Sequence, residues 1–195
     1  QKRQMLGKPQ IDWLVETLKW ATGQARSSYP VNFHLVALGN QVLSPYSANN
    51  LPHYTAEWDY LFERLTEESI NGVIFLTGDV HYGEVSKIEI ESKNADAPPF
   101  VFFDITASPL TAGSWEGAPP EKNPNRFDIF PGTPDRVGQN NFVRLHFSGP
   151  LKERQMAIEF YDANGTLLNQ EPNAPAGTVT PLSILQATDL RPTRP

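Results

Sequence analysis

The stretch "VIFLTGDVHYGEVSKIEI", Val73 to Ile90, decides how the chain is read. A run of apolar β-formers stops at Thr77-Gly78, delivers Asp79 and His81 two residues apart, and resumes as a second strand-like run. Two readings stand side by side: a polar turn between strands, or a metal site at a strand end. Upstream, "AEWDYLFERLTEE" places Trp58, Leu61, Phe62 and Leu65 at helical spacing after a possible Thr55 N-cap, and Asn71-Gly72 closes that helix. Before it, "VNFHLVALG" (Val31 to Gly39) reads as a strand. Strand, helix, strand at these lengths predicts a βαβ unit with its two strands parallel.

Working outward, "PQIDWLVETLKW" carries Ile11, Leu14, Val15 and Leu18 on one stripe with Pro9 near the first turn, which predicts an amphipathic helix. Beyond the motif the pattern changes. "FVFFDIT" (Phe100 to Thr106) is nearly all apolar, and "NFVRLHF" alternates Val143, Leu145 and Phe147 inward with Arg144 and His146 outward. "MAIEFYDANGTLL" alternates likewise and turns at Asn164-Gly165. The fold class is therefore α/β, a parallel βαβ unit followed by mainly antiparallel strands. The Pro/Gly-rich segment Ala107 to Gly138 is too long for a simple connection, and is either a functional loop or one packed over the sheet. From Asn169 onward, five prolines in 27 residues predict an extended tail over 169–195.

Composition narrows the function. The 195 residues hold 16 Lys+Arg against 22 Asp+Glu, a formal charge of -6 with no basic run, so binding to a nucleic-acid duplex is not expected. No stretch approaches the length of apolar residues that spans a membrane, and the start "QKRQMLGKPQ" has neither the apolar core of a signal peptide nor an initiator Met, which suits a processed product or a fragment. Zero cysteines exclude thiolate metal sites and Cys nucleophiles, leaving Asp, His, Asn, Glu and Tyr as ligands.

Ligand sites in parallel sheets form beyond the carboxyl ends of the strands. The first strand of the βαβ unit exits at Gly39-Asn40-Gln41 and the second at Gly78-Asp79-Val80-His81, so these four polar side chains are expected on one edge. A carboxylate with an imidazole suits a divalent or trivalent cation, and an amide oxygen can add to the shell.

In order and spacing, "RQMLGKPQIDWL", "HLVALGNQVL", "GVIFLTGDVHYGEVSKI" and "FFDITASPLT" resemble the C-terminal half of the PhoD-like alkaline phosphatases/phosphodiesterases, a branch of the calcineurin-like metallophosphoesterases. "NFVRLHF" and "YDANGTLL" resemble that family's closing strands, so the likeness runs from about Arg3 to Leu168 and assigns 1–168 to the C-terminal part of one domain. It implies a layered α/β/β/α sandwich with a two-metal centre at its edge, hydrolysing phosphate mono- or diesters. Asp79 and His81 match the positions that ligate metal, and the ions implied are Fe, Ca, Zn or Mn. Asn40, Gln41 and Tyr82 are possible metal or substrate contacts; the amides equally suit caps of backbone groups, and Tyr82 a cover for the sheet edge. The family's earlier Asp-rich motifs have no counterpart here, which implies that an N-terminal half of the same domain completes the centre and that this chain alone is weakly active or inactive. The family also implies an extracytoplasmic location. The alternative is a non-catalytic remnant sandwich that acts as a binding module.

The remaining polar residues carry plainer expectations. Glu84 begins the next strand on its solvent side, His34 is packed or hydrogen-bonded in its strand, and His146 faces solvent. His53 lies in a polar loop, Thr106 and Ser108 organise a turn, and Trp115 is a lid anchor or packing.

Overall fold

The computed structural model describes residues 4–24, 31–47, 49–115, 123–127, 137–151, 153–170 and 183–186. Helix α1 spans Lys8–Gln24; Gly7, at φ +80°, turns the chain into it, and Ile11, Val15 and Leu18 form its buried stripe. Helix α2 spans Thr55–Glu67 and buries Leu61, Phe62 and Leu65. Thr55 is not the N-cap: it is the first helical residue, and the capping position falls to Tyr54 without a side-chain bond. Glu57 meets the need for anion at this end in another way. Its buried carboxylate accepts the backbone N–H groups of Met5, Leu6 and Gly7 at 2.7, 3.1 and 2.6 Å, pinning the entry to α1 against α2.

The end of α2 comes earlier than Asn71-Gly72. Ser69 takes φ +54°, its N–H reaches the Thr66 carbonyl, and the Ile70 N–H reaches that of Leu65, a Schellman closure with serine in the left-handed position. Asn71 then serves the sheet, its Oδ1 accepting from Gly72 N–H and, at 2.6 Å, from Val101 N–H.

Strands β1 (His34–Ala37), β2 (Val73–Thr77), β3 (Glu84–Ile90) and β4 (Phe100–Thr106) form one sheet in the order β1-β2-β4-β3. The first two pair in parallel, His34 opposite Val73, as the βαβ reading requires. The expectation of mainly antiparallel strands after the βαβ unit holds, with one parallel pairing, at β4. This strand inserts between β2 and β3, parallel to the former and antiparallel to the latter, so three strands present their carboxyl ends at the same edge. A second, antiparallel sheet contains β5 (Asn141–Ser148), β6 (Gln155–Asp162) and β7 (Ser183–Gln186) in sequence order. The hairpin after β6 turns through Gly165 at φ +83°. Thus 183–186 of the proline-rich tail is a strand, and 171–182 and 187–195 lie outside the described residues.

Alternation distributes the core to two faces. Val73, Phe75 and Phe102 pack with Ile11, Val15, Leu61 and Phe62 of the helices, whereas Ile74, Val85, Phe103 and Ile105 pack against Met156, Ile158 and Phe160 of β6. The described residues therefore make three layers, helix on sheet on sheet. Phe147 departs from the inward set of its strand: it is 43% exposed and leans on Phe33 with ring centroids 5.6 Å apart. His146 is exposed as expected, and His34 bonds Thr22 Oγ1 at 3.2 Å while burial lowers its pKa. Parts of the long 107–138 segment run along the free edge of β3, where Val137 pairs with Gly83 and Arg126 with Ser86. No helix among the described residues is long and apolar enough to cross a membrane.

Candidate metal and substrate site

Three strand ends build the site. Leu38 N–H bonds the Leu76 carbonyl, Gly78 N–H the Gly39 carbonyl, and Ala107 N–H the Thr77 carbonyl, so the segments leaving β1, β2 and β4 start side by side. The β2 exit is the most strained of them. Val80 N–H bonds the Gly78 carbonyl across a three-residue turn, with Asp79 at φ +70°, and His81 follows at φ +60°. Neither is glycine, and left-handed backbone of this kind persists at functional sites where the surroundings enforce it. The turn leaves both side chains exposed on one open cleft of about 440 Å³, whose walls include Tyr46, Ser47, Asn49, Ser114 and Trp115.

Each donor is oriented by a neighbouring loop. Asn40, from the β1 exit, donates Nδ2 to Asp79 Oδ2 at 2.8 Å. His81 Nδ1 lies 2.5 Å from the Gly113 carbonyl oxygen. A carbonyl only accepts, so Nδ1 carries the proton and, in the neutral imidazole, Nε2 holds the free lone pair. This is the arrangement by which a ligating histidine is fixed in tautomer and rotation. Trp115 N–H returns to the His81 carbonyl at 2.9 Å, and Asn140 Nδ2 holds the Leu110 and Ala112 carbonyls at 3.1 and 3.0 Å, so the loop that orients His81 is itself tethered.

The other two candidates occupy a deeper level. Gln41 is fully buried and donates Nε2 to Glu84 Oε1 at 2.7 Å and Thr106 Oγ1 at 2.9 Å, while its Oε1 accepts from Asn50 at 2.8 Å. Tyr82 is also fully buried, its ring beneath those of Tyr46 and Trp115. Both support the cleft from below rather than line it. His53 bonds the Pro45 carbonyl at 2.7 Å.

Glu84 does not face solvent. It is fully buried because three loop groups converge on it: Gln41, Asn123 Nδ2 at 3.1 Å and Arg126 Nε at 2.9 Å, the last a buried ion pair. Asp104, unremarked at the level of sequence, is the second buried carboxylate beneath the cleft. Its Oδ2 accepts from Val42 and Leu43 N–H at 2.6 and 3.0 Å, and its Oδ1 from Thr77 Oγ1 at 2.5 Å, so one side chain of β4 holds the β1 exit to the end of β2. Burial pushes its pKa up to about 6, against the pull of these three donors and with Glu84 adding to the rise. The available signal was an aspartate inside the apolar run "FVFFDIT", since a buried strand tolerates a carboxylate only where donors await it.

As a metal site the donor set is chemically apt and small. An exposed carboxylate, an imidazole Nε2 and an amide oxygen fit a hard or borderline cation. Among the described residues no group of three or more His, Asp or Glu converges to hold one. Asp79 and His81 would therefore hold such an ion only in part.

A parallel βαβ sheet backed by a second sheet, with its polar edge at the strand ends, defines an α/β fold of the metallophosphatase kind. The family model for PhoD-like phosphatases matches residues 1–149, and the chain belongs to that family. The solved structure described as "Structure of PhoD" superposes with a TM-score of 0.57 at 18% identity, over 98% of this chain and 36% of that one. At this identity the likeness is one of fold, and the chain spans little more than a third of the longer protein. No curated protein matches the sequence.

Proposed function

We propose that this chain supplies part of the metal centre of a phosphoesterase acting on phosphate mono- or diesters, with Asp79 and His81 as ligands and Asn40 orienting Asp79. The observation that carries the proposal is the strained turn itself, which presents both side chains at the strand edge while Gly113 fixes the His81 tautomer. When bound, a pair of cations polarises the phosphoryl oxygens and provides a nucleophile at neutral pH. The chain's own contribution is an anionic oxygen at Asp79, a neutral nitrogen at His81, and a rigid frame of buried carboxylates that keeps the two loops in register.

The remaining donors belong, in this reading, to an N-terminal half of the same domain. Two features support it besides the donor count. Among the described residues β1 pairs only with β2, which leaves its outer edge open, and Leu35 on it is 40% exposed. Trp13 and Trp20, one above the other on α1, are 66% and 68% exposed.

The test is hydrolysis of a chromogenic phosphomonoester and diester by the complete gene product, with metals stripped and restored. Asp79→Asn and His81→Ala are each expected to lower turnover by at least about a hundredfold with the fold retained, and the 195-residue chain alone to be weakly active. Wild-type rates in both variants would remove these residues from the centre. An inactive complete protein that still folds would favour the binding-module reading.

A further inference from the structure

The cleft has a second wall that the proposed metal chemistry does not use. Tyr46 and Trp115 meet there with ring centroids 5.6 Å apart and planes tilted by 55°, so neither ring covers the other's face. Buried Tyr82 braces both from beneath at 6.4 and 6.5 Å in edge-on geometry. Trp115 nevertheless remains 42% exposed, an indole held out of the core beside a reactive turn. It is also held in place. The two bonds between His81 and the 113–115 segment make the turn and the indole one unit, so the distance from ring wall to reacting centre is set by the fold.

We propose that Trp115 and Tyr46 form a stacking subsite for a flat ring, which makes the preferred substrates phosphate esters of ring-bearing alcohols of the nucleoside class. The proposal rests on the metal-site reading above and adds the substrate class. Charge points the same way. Asp79 and His81 are the ionisable side chains on the cleft apart from the tyrosine, and no Lys or Arg is among the described residues lining it. A leaving group bearing a second phosphate would meet no Lys or Arg among the described residues lining the cleft, whereas a neutral ring meets two aromatic faces, and Ser47 and Asn49 supply hydrogen-bonding groups at the rim. A base stacked on an aromatic side chain gains enough that truncating the ring typically weakens binding by about five- to a hundredfold.

The test compares adenosine 5′-phosphate with ribose 5-phosphate, and the methyl diesters of each, on the complete metal-loaded protein. In each pair phosphorus is esterified to the same 5′ primary hydroxyl, and an anomeric hydroxyl stands where the adenosine ester has its base. We expect kcat/KM to favour the adenosine ester by about tenfold or more, and Trp115→Ala to bring the ratio towards one while Trp115→Phe preserves most of it. Equal kcat/KM within the pairs, or a ratio that Trp115→Ala leaves unchanged, would overturn the subsite. Loss of the metal-site reading looks different, because hydrolysis of all four esters would then be insensitive to Asp79→Asn and His81→Ala. Should no ester be hydrolysed, quenching of tryptophan fluorescence by adenosine decides the matter: quenching that Trp115→Phe abolishes supports the subsite, and its absence refutes it.

Discussion

His81 stands at φ +60° with its ring tied to Gly113, so backbone and side chain are both committed before any ligand arrives. That commitment is measurable. Alanine cannot relax a left-handed position but glycine can, so His81→Gly should be more stable than His81→Ala by about 1 kcal/mol in chemical denaturation, although both lose the imidazole. Equal stability of the two variants would mean the turn relaxes once the ring is gone. At this scale Asp79 and His81 were legible because a glycine-aspartate pair interrupts an apolar run at a strand end. Gln41 and Glu84 were legible as polar residues but not in depth. An amide or carboxylate next to a strand end reads as solvated unless its partners are known, and those of Glu84 lie 43, 39 and 42 positions away, at Gln41, Asn123 and Arg126.

Among elements, the helices were readable from spacing alone, whereas the capping of α2 was not, because its anion comes from inside the helix and serves another segment. Glu57→Ala would leave three backbone N–H groups without their acceptor, and is expected to destabilise the protein by about 2–4 kcal/mol, read by urea unfolding. A loss under about half a kcal/mol would show that water replaces the carboxylate freely. The entry to β3 is tighter still. A Cβ on Gly83 would lie 2.8 Å from Phe160 Cε1 and 2.9 Å from Asn141 Oδ1, so Gly83→Ala should lower stability by about 1–3 kcal/mol through overpacking between the two sheets. Because Asn141 also holds the Ser108 carbonyl at 2.7 Å, the same change is expected to impair activity, and an unchanged melting temperature would contradict the packing. The insertion of β4 between β2 and β3 escaped the sequence for a topological reason. A strand's neighbours are set by long-range pairing, and "FVFFDIT" is equally apolar on either side.

For the whole molecule, the layers follow from which face each strand buries; the apolar run of β2 and the alternation along β6 marked the two sheets in advance. The frame below the cleft gives the molecule a pH signature. Asp104 keeps its proton in the folded state up to about pH 6, against a usual value of 3.8, so between these limits the folded chain binds more protons than the unfolded one. Stability owed to this group is therefore present at the acidic end and falls as pH rises through the window, by about 2–3 kcal/mol in all. Measured from pH 4 to pH 7, the stability advantage of wild type over Asp104→Asn should shrink with rising pH; an advantage that grows would reverse the assignment. Above that frame lies the edge that carries Asp79 and His81, and anomalous X-ray scattering from crystals of the complete gene product would locate any metal held there. A metal ion is expected within about 2.0–2.6 Å of a carboxylate oxygen of Asp79 or of His81 Nε2, with His81 Nδ1 still on the Gly113 carbonyl. Metal bound elsewhere in the protein, with both side chains outside its coordination sphere, would contradict it.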